Sequence, residues 1–142
     1  MTGTGDVQEL AAALSHKLRH LVMLLRRASA GQPVTAQQYA VLGSLEAGPR
    51  RMTDLAEEHG VQLPTISVQI NRLEEAGLVA RGFDPADARV RTVELTGEGR
   101  ARLIAVRRAR IGYLARCLEA LTPEEREAIA VALPALAKLG RG

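Results

Sequence analysis

The pattern of apolar and polar positions predicts a mainly helical chain that is interrupted once by a β-hairpin. Apolar residues recur at helical spacing from Val7 to Leu25, so the first helix presents one long apolar stripe. Such a stripe needs a larger partner than a small domain offers, which favours association with a second subunit. Residues 30–33 then break the helix, and Thr35 with Gln38 has the spacing of a capping box that starts the second helix.

The next helix is predicted to be short. Thr53 is expected to cap it, and Gly60 is expected to end it. Arg50 and Arg51 precede this helix, where they are equally well explained as contacts to a phosphate or as ordinary solvated charges.

Two further helices follow in the C-terminal third of the chain. Thr96 is expected to cap a long, arginine-rich helix. The last helix is expected to begin after Thr122, which acts as its cap. Pro123 suits the first helical position, and Glu125 has the spacing of the capping-box acid.

The helix between residues 64 and 76 is the most informative one. Ile66, Ile70 and Leu73 form its apolar stripe, Pro64 suits its first turn, and Gly77 suits the left-handed position beyond its end. Its other face carries side chains that could read the edges of DNA bases: Thr65, Val68, Gln69 and Arg72. An ordinary solvated helix face is the alternative, and the helix alone does not decide between the two.

The hairpin after this helix favours DNA recognition. Residues 78–81 and 91–96 have the pattern of two strands, joined by a loop over residues 82–90 that contains an Asp-Pro turn. Arg89 is expected at the tip of the loop, where an arginine can enter the minor groove of DNA. Arg81 and Arg91 flank it on the strands. Two short helices followed by a basic hairpin indicate a winged helix-turn-helix.

The order of several short motifs resembles the MarR family of bacterial transcription regulators. The likeness covers nearly the whole chain, and the order and spacing of the motifs are more specific than any one of them. One departure is at the hairpin, where family members commonly carry Asp-Arg-Arg and this chain has Asp87-Ala88-Arg89, which predicts a weaker contact there. The segments are TAQQYAVL (35–42), MTDLA (52–56), PTIS (64–67), RLEEAGLV (72–79), DPADAR (84–89) and VELTGEG (93–99).

The resemblance implies a mainly α fold with a small β-hairpin wing and a helical dimerisation region. It divides the chain into an N-terminal dimerisation helix (1–34), a winged helix-turn-helix DNA-binding lobe (35–99) and C-terminal dimerisation helices (100–142). It also implies a homodimer on a pseudo-palindromic DNA operator, and a repressor that a small, commonly phenolic, molecule releases from DNA.

The residues that would serve these roles are expected on the helix over 64–76 and the hairpin for DNA, and on the first two helices for the ligand. The expected ligand pocket is the weaker assignment, since it rests on the resemblance and on side chains near the first two helices. The expected DNA contacts are Pro64, Thr65, Ser67, Val68, Gln69, Arg72, Arg81, Arg89 and Arg91, and the expected pocket residues are His16, His20, Met23 and Tyr39.

Composition limits the function without deciding it. The net charge is +3, yet eight acidic side chains outnumber six arginines between residues 50 and 96, so bulk charge supports DNA binding only weakly. A single cysteine, Cys117, allows no internal disulfide and fits a reducing cytoplasm. No stretch is apolar enough for a membrane span, and no signal peptide is visible.

Two other classes of function remain open from the sequence. An enzyme would need a convergent acid, base or nucleophile set, and none emerges from Cys117 and the three histidines, His16, His20 and His59. His16 and His20 have the spacing of a metal-ligand pair, but no third ligand is near in sequence, so no cofactor is expected. A winged domain used only for protein contacts is the second alternative.

Overall fold

The computed structural model describes residues 4–140, which form six α-helices and one three-stranded antiparallel sheet. The predicted fold class is therefore confirmed. The sheet order is β1-β3-β2, and no helix in the described part of the chain is long and apolar enough to cross a membrane. The first three and last two residues of the expected dimerisation segments lie outside the described residues. The elements are α1 (Thr4–Ala28), α2 (Ala36–Ser44), β1 (Arg50–Arg51), α3 (Met52–Glu58), α4 (Leu63–Glu75), β2 (Val79–Asp84), β3 (Asp87–Leu95), α5 (Gly97–Glu119) and α6 (Pro123–Leu136).

One aliphatic core joins α2, α3, α4 and the first half of α5 to the sheet. The predicted stripe of α4 is fully inside it, since Ile66, Ile70 and Leu73 are all buried. Burial of that stripe fixes the opposite face of α4 toward solvent. The other side chains with almost no exposure are Val41, Leu42, Leu45, Leu55, Val93, Leu103 and Val106.

The helix starts follow the predicted capping chemistry with one exception. Thr35 and Thr122 each form a full capping box, and the Thr96 hydroxyl accepts a hydrogen bond from the backbone of the first turn of α5. The prediction for Thr53 is wrong, because α3 begins at Met52 and Thr53 lies within its first turn. The reason is the unpredicted strand β1, which pairs with β3 and delivers the chain directly into the helix.

The predicted loop over residues 82–90 is also wrong. The two strands continue to Asp84 and Asp87, which leaves only Pro85 and Ala86 in the turn. Two side chains close this turn, since Asp84 Oδ1 accepts from the Ala86 N–H at 2.8 Å and Asp87 Oδ1 accepts from the Arg89 N–H at 3.0 Å. Arg89 therefore lies on β3 and not in a loop. We call the β2–β3 hairpin the wing.

The base of the wing is fixed against α4 and α5. Gly77 has φ +77°, and the Leu78 N–H donates to the Leu73 carbonyl at 2.9 Å, as predicted for a glycine cap after α4. The Thr96 hydroxyl donates to the Gly77 carbonyl at 2.6 Å, and the Thr96 N–H donates to the Leu78 carbonyl at 3.1 Å. These bonds set the wing beside the exposed face of α4.

The helices at the two ends of the chain leave their apolar side chains uncovered. No residue of α6 is buried, although the helix contains Ile129, Leu133 and Leu136 at helical spacing. In α1, Val7, Leu10, Leu18, Leu21 and Val22 are all exposed as well. A single chain thus leaves most of the predicted terminal stripes in contact with water.

Candidate nucleic-acid interface

The exposed face of α4 presents most of the residues predicted to contact DNA. Pro64, Thr65, Val68 and Arg72 are exposed, and Ser67 and Gln69 are partly exposed. The local sequence causes this orientation, because the buried stripe occupies the positions between them. The face combines hydroxyl, amide, apolar and guanidinium groups, which together can contact base edges and phosphates.

A groove of about 580 Å³ separates the start of α4 from the wing. Its lining includes Ser67 of α4, the predicted wing arginines Arg81, Arg89 and Arg91, and Arg51 of β1. Four guanidinium groups therefore surround one groove, and three of them pair with a carboxylate in the described part of the chain.

Arg89 is highly accessible, with 91% of its side chain exposed. It pairs with Asp87 on the same strand: its Nε lies 3.1 Å from Oδ1 and its Nη2 lies 3.2 Å from Oδ2. The Arg89 guanidinium lowers the pKa of the Asp87 carboxyl. An exposed ion pair of this kind contributes little stability, so the arginine can exchange Asp87 for a phosphate at small cost.

The two arginines before α3 are also paired. Arg51 Nε donates to Asp84 Oδ2 at 2.9 Å, while Arg50 Nη1 donates to Glu58 Oε2 at 3.1 Å. The pKa of Asp84 is lowered by the turn hydrogen bond from Ala86 and then by Arg51. Arg51 therefore steadies the wing in addition to lining the groove, a role that its sequence position did not indicate.

Arg81 lies on the first strand of the hairpin, as predicted, but its side chain is held by α4. Its guanidinium donates to Asn71 Oδ1, its Nε lies 3.7 Å from Glu74 Oε1, and only 23% of its side chain is exposed. Asn71 and Glu74 are three residues apart on α4, so they share the face that meets the wing. Arg81 thus ties the wing to α4, and its assignment as a DNA contact stays a prediction.

Gln69 has a neighbour that the sequence reading missed. Its amide nitrogen donates to Gln37 Oε1 of α2 at 3.3 Å. A cleft of about 410 Å³ beside this bond is also lined by Arg26 and Arg72. The tertiary arrangement of α1, α2 and α4 brings these residues together, and no sequence spacing signals it.

The four residues predicted to form a ligand pocket do not line one cavity in a single chain. His16 and His20 stack edge to face at 4.5 Å, and His20 and Met23 line a groove of about 440 Å³ along α1. Tyr39 does not line that groove: it packs against the core, and the Arg110 guanidinium lies 4.1 Å from its ring centre. Within residues 4–140, no three His, Cys, Asp or Glu side chains are grouped to hold a metal ion.

The amino-acid sequence is similar to those of known transcriptional regulators. The model of the MarR family matches residues 32–90. The HTH-type transcriptional repressor MdtR of Bacillus subtilis is 32% identical over 121 residues, which cover 84% of this chain and 76% of that protein.

Two solved structures have the same fold over almost the whole chain. A MarR family protein from Bacillus stearothermophilus superposes with a TM-score of 0.81 at 26% identity, covering 97% of both chains. The transcriptional repressor CouR, bound to a 23-mer DNA duplex, superposes with a TM-score of 0.74 at 28% identity, covering 96% of this chain and 99% of that one.

Proposed function

This chain belongs to the MarR family of transcriptional regulators, and from that premise we propose that it is a homodimeric, sequence-specific repressor that a small molecule releases from DNA. That it is a DNA-binding transcriptional regulator follows from the family, which gives no support to a winged domain used only for protein contacts. The observation that carries the finer proposal is the exposed face of α4 beside a groove lined by arginines.

In this proposal α4 enters a major groove and the wing reaches the adjacent minor groove. Thr65, Val68 and Gln69 read base edges, and Arg72 contacts a base or a phosphate. Arg89 and Arg91 extend from the wing, where the negative potential of the minor groove attracts guanidinium groups. The residues 35–99 form the DNA-binding lobe.

The dimer is supported by the uncovered apolar faces of α1 and α6. Residues 1–34 and 100–142 would interlock with the same segments of a second copy. A two-fold axis would then place two α4 helices on a pseudo-palindromic operator, with half-sites about one helical turn apart.

Repression and release rest on the relatives and on a physical requirement. MdtR and CouR are both named repressors. A ligand can release DNA only if it prefers a spacing of the two DNA-binding lobes that does not match the operator. The groove at His20 and Met23 lies on α1, which the proposed dimer would enclose, so it is the first place to look for a small phenolic effector. We expect the protein to act in the cytoplasm.

The proposed function is tested by selection from a pool of random duplexes with the purified full chain. We expect the selected sequences to share a two-fold-related motif and to bind more tightly than a random duplex at two salt concentrations. Equal binding to both, with no shared motif after several rounds, would contradict a sequence-specific regulator.

Two substitutions should separate base reading from backbone attraction. Gln69→Ala is expected to lower discrimination at one base pair about tenfold while leaving affinity for random DNA unchanged. Arg89→Ala is expected to weaken binding to every sequence and to lower the slope of log K against log salt by about 1. Anisotropy titrations on the selected duplex, on single base-pair variants and on a random duplex measure both effects. Equal losses on selected and random DNA for Gln69→Ala would contradict its assigned role.

The carboxylate that pairs with Arg89 should restrain DNA binding. Asp87→Asn keeps an oxygen that can accept the Arg89 N–H but removes the charge that competes with phosphate. We expect about fivefold tighter binding to both selected and random duplexes at low salt, with the gain lost at high salt. Glu94→Gln is the matched control, because it removes one negative charge from β3 at a residue that forms no ion pair within residues 4–140. An equal gain from both variants would mean that only net charge matters.

A further inference from the structure

The chain contains a single phenylalanine, Phe83, and the fold places it outside the core. It lies on β2 next to the turn of the wing, with 64% of its surface exposed. The core of the described chain is filled with aliphatic side chains, and the Phe83 ring does not contribute to it. An aromatic ring on a projecting hairpin supplies a large apolar contact surface to whatever the hairpin touches.

The register of the wing shows which face Phe83 shares. It pairs directly with Arg91 of β3, and Arg81 lies two residues before it on β2. Residues in direct cross-strand pairs and alternate residues of a strand point to the same face of a sheet. Arg81 and Arg91 both line the groove toward α4. Phe83 therefore shares one face of the wing with Arg81 and Arg91.

We propose that Phe83 is an apolar contact between the wing and the walls of the DNA minor groove. This inference rests on the proposed function, since it takes for granted that the wing reaches that groove. Arg89 and Arg91 would hold the wing there by charge, while the ring covers the apolar surface of the deoxyriboses and excludes water from it. Proteins that bind the minor groove commonly combine cationic and apolar side chains in this way.

The test compares Phe83→Ala with Phe83→Leu, which keeps an apolar side chain, on the duplex that the wild-type chain selects. We expect Phe83→Ala to bind about tenfold more weakly and Phe83→Leu to stay within about threefold of wild type. Because the lost contact carries no charge, the slope of log K against log salt should not change, in contrast to Arg89→Ala. Hydroxyl radicals attack deoxyribose from the minor groove, so Phe83→Ala should also lose the wild-type protection beside each half-site.

Three results would overturn the inference. Phe83→Ala could bind and protect DNA like wild type, or its salt slope could fall with its affinity, which would mean that the ring acts only by positioning Arg91. A change in sedimentation of the free protein would assign Phe83 to a contact with a second copy instead. Thermal unfolding equal to wild type is expected for so exposed a side chain and checks that the fold is intact. Failure of the wild-type chain to select any sequence would overturn the proposed function itself, before a variant is compared.

Discussion

Gly99→Ala is expected to lower the free energy of unfolding by about 3 kcal/mol, although it adds only one methyl group. Gly99 is buried in the first turn of α5, where the helix crosses the base of the wing. A Cβ atom at this position would lie 2.9 Å from the carbonyl carbon of Leu78 and closer still to its oxygen. Backbone cannot turn away as a flexible side chain can, so α5 or the wing must shift. Equilibrium denaturation in urea measures the loss.

Gly97→Ala is the matched control, since the same substitution two residues earlier in α5 meets no atom within 4 Å. Alanine favours a helix over glycine, so this variant should gain about 0.5 kcal/mol in the free energy of unfolding. The Leu78 carbonyl also accepts the Thr96 N–H that holds the wing, so Gly99→Ala should weaken DNA binding even at temperatures where the protein stays folded. Equal stabilisation by both variants would show that the helix can move away from the wing without cost.

The sequence predicted those parts of the fold that depend only on residues close together in the chain. The stripe of Ile66, Ile70 and Leu73, the glycine cap at Gly77 and the capping box at Thr35 each depend on residues a few positions apart. Such patterns fix a helix and its buried face before any tertiary contact is known. The exposed face of α4 was therefore predictable as well.

The errors in the prediction have tertiary causes. Strand β1 has only two residues and exists because Arg50 and Arg51 meet Val93 and Thr92 across the sheet, a pairing that no local pattern announces. Because of that pairing, α3 begins at Met52, and Thr53 is not the cap that the sequence predicted. At the wing, the sequence predicted the Asp-Pro turn but not that the turn has only two residues. Arg89 was therefore expected in a loop and lies on a strand.

The charges of the site were predictable in number but not in arrangement. The excess of acids in the lobe suggested weak attraction for DNA, and the structure shows that Asp84 and Asp87 each pair with an arginine of the groove. Asp84 and Asp87 therefore need not repel DNA as free charges, because each is partly neutralised by an arginine of the groove.

Ile129→Asp is expected to separate the proposed dimer and to reduce affinity for the selected operator at least about a hundredfold. Ile129 lies on the uncovered apolar face of α6, 43% exposed in the single chain, together with Leu133 and Leu136. A carboxylate buried there in a dimer would lose its hydration without gaining a partner. Two half-sites bound by linked subunits gain affinity from their connection, and a monomer loses that gain. Sedimentation equilibrium and anisotropy titration on the same samples measure the two effects.

Val131→Asp provides the control, because it introduces the same charge into the same helix at a residue that points away from that face and is 69% exposed. It should remain dimeric and bind the operator like wild type. Random DNA gives a second check: a separated but folded lobe should keep the weak affinity of one α4 and one wing for any duplex, because that affinity depends on phosphate contacts within one subunit. If Ile129→Asp stays dimeric, the subunits do not join through α6. If it becomes monomeric yet binds the operator as tightly as wild type, one lobe is sufficient for recognition and the two-fold operator is wrong.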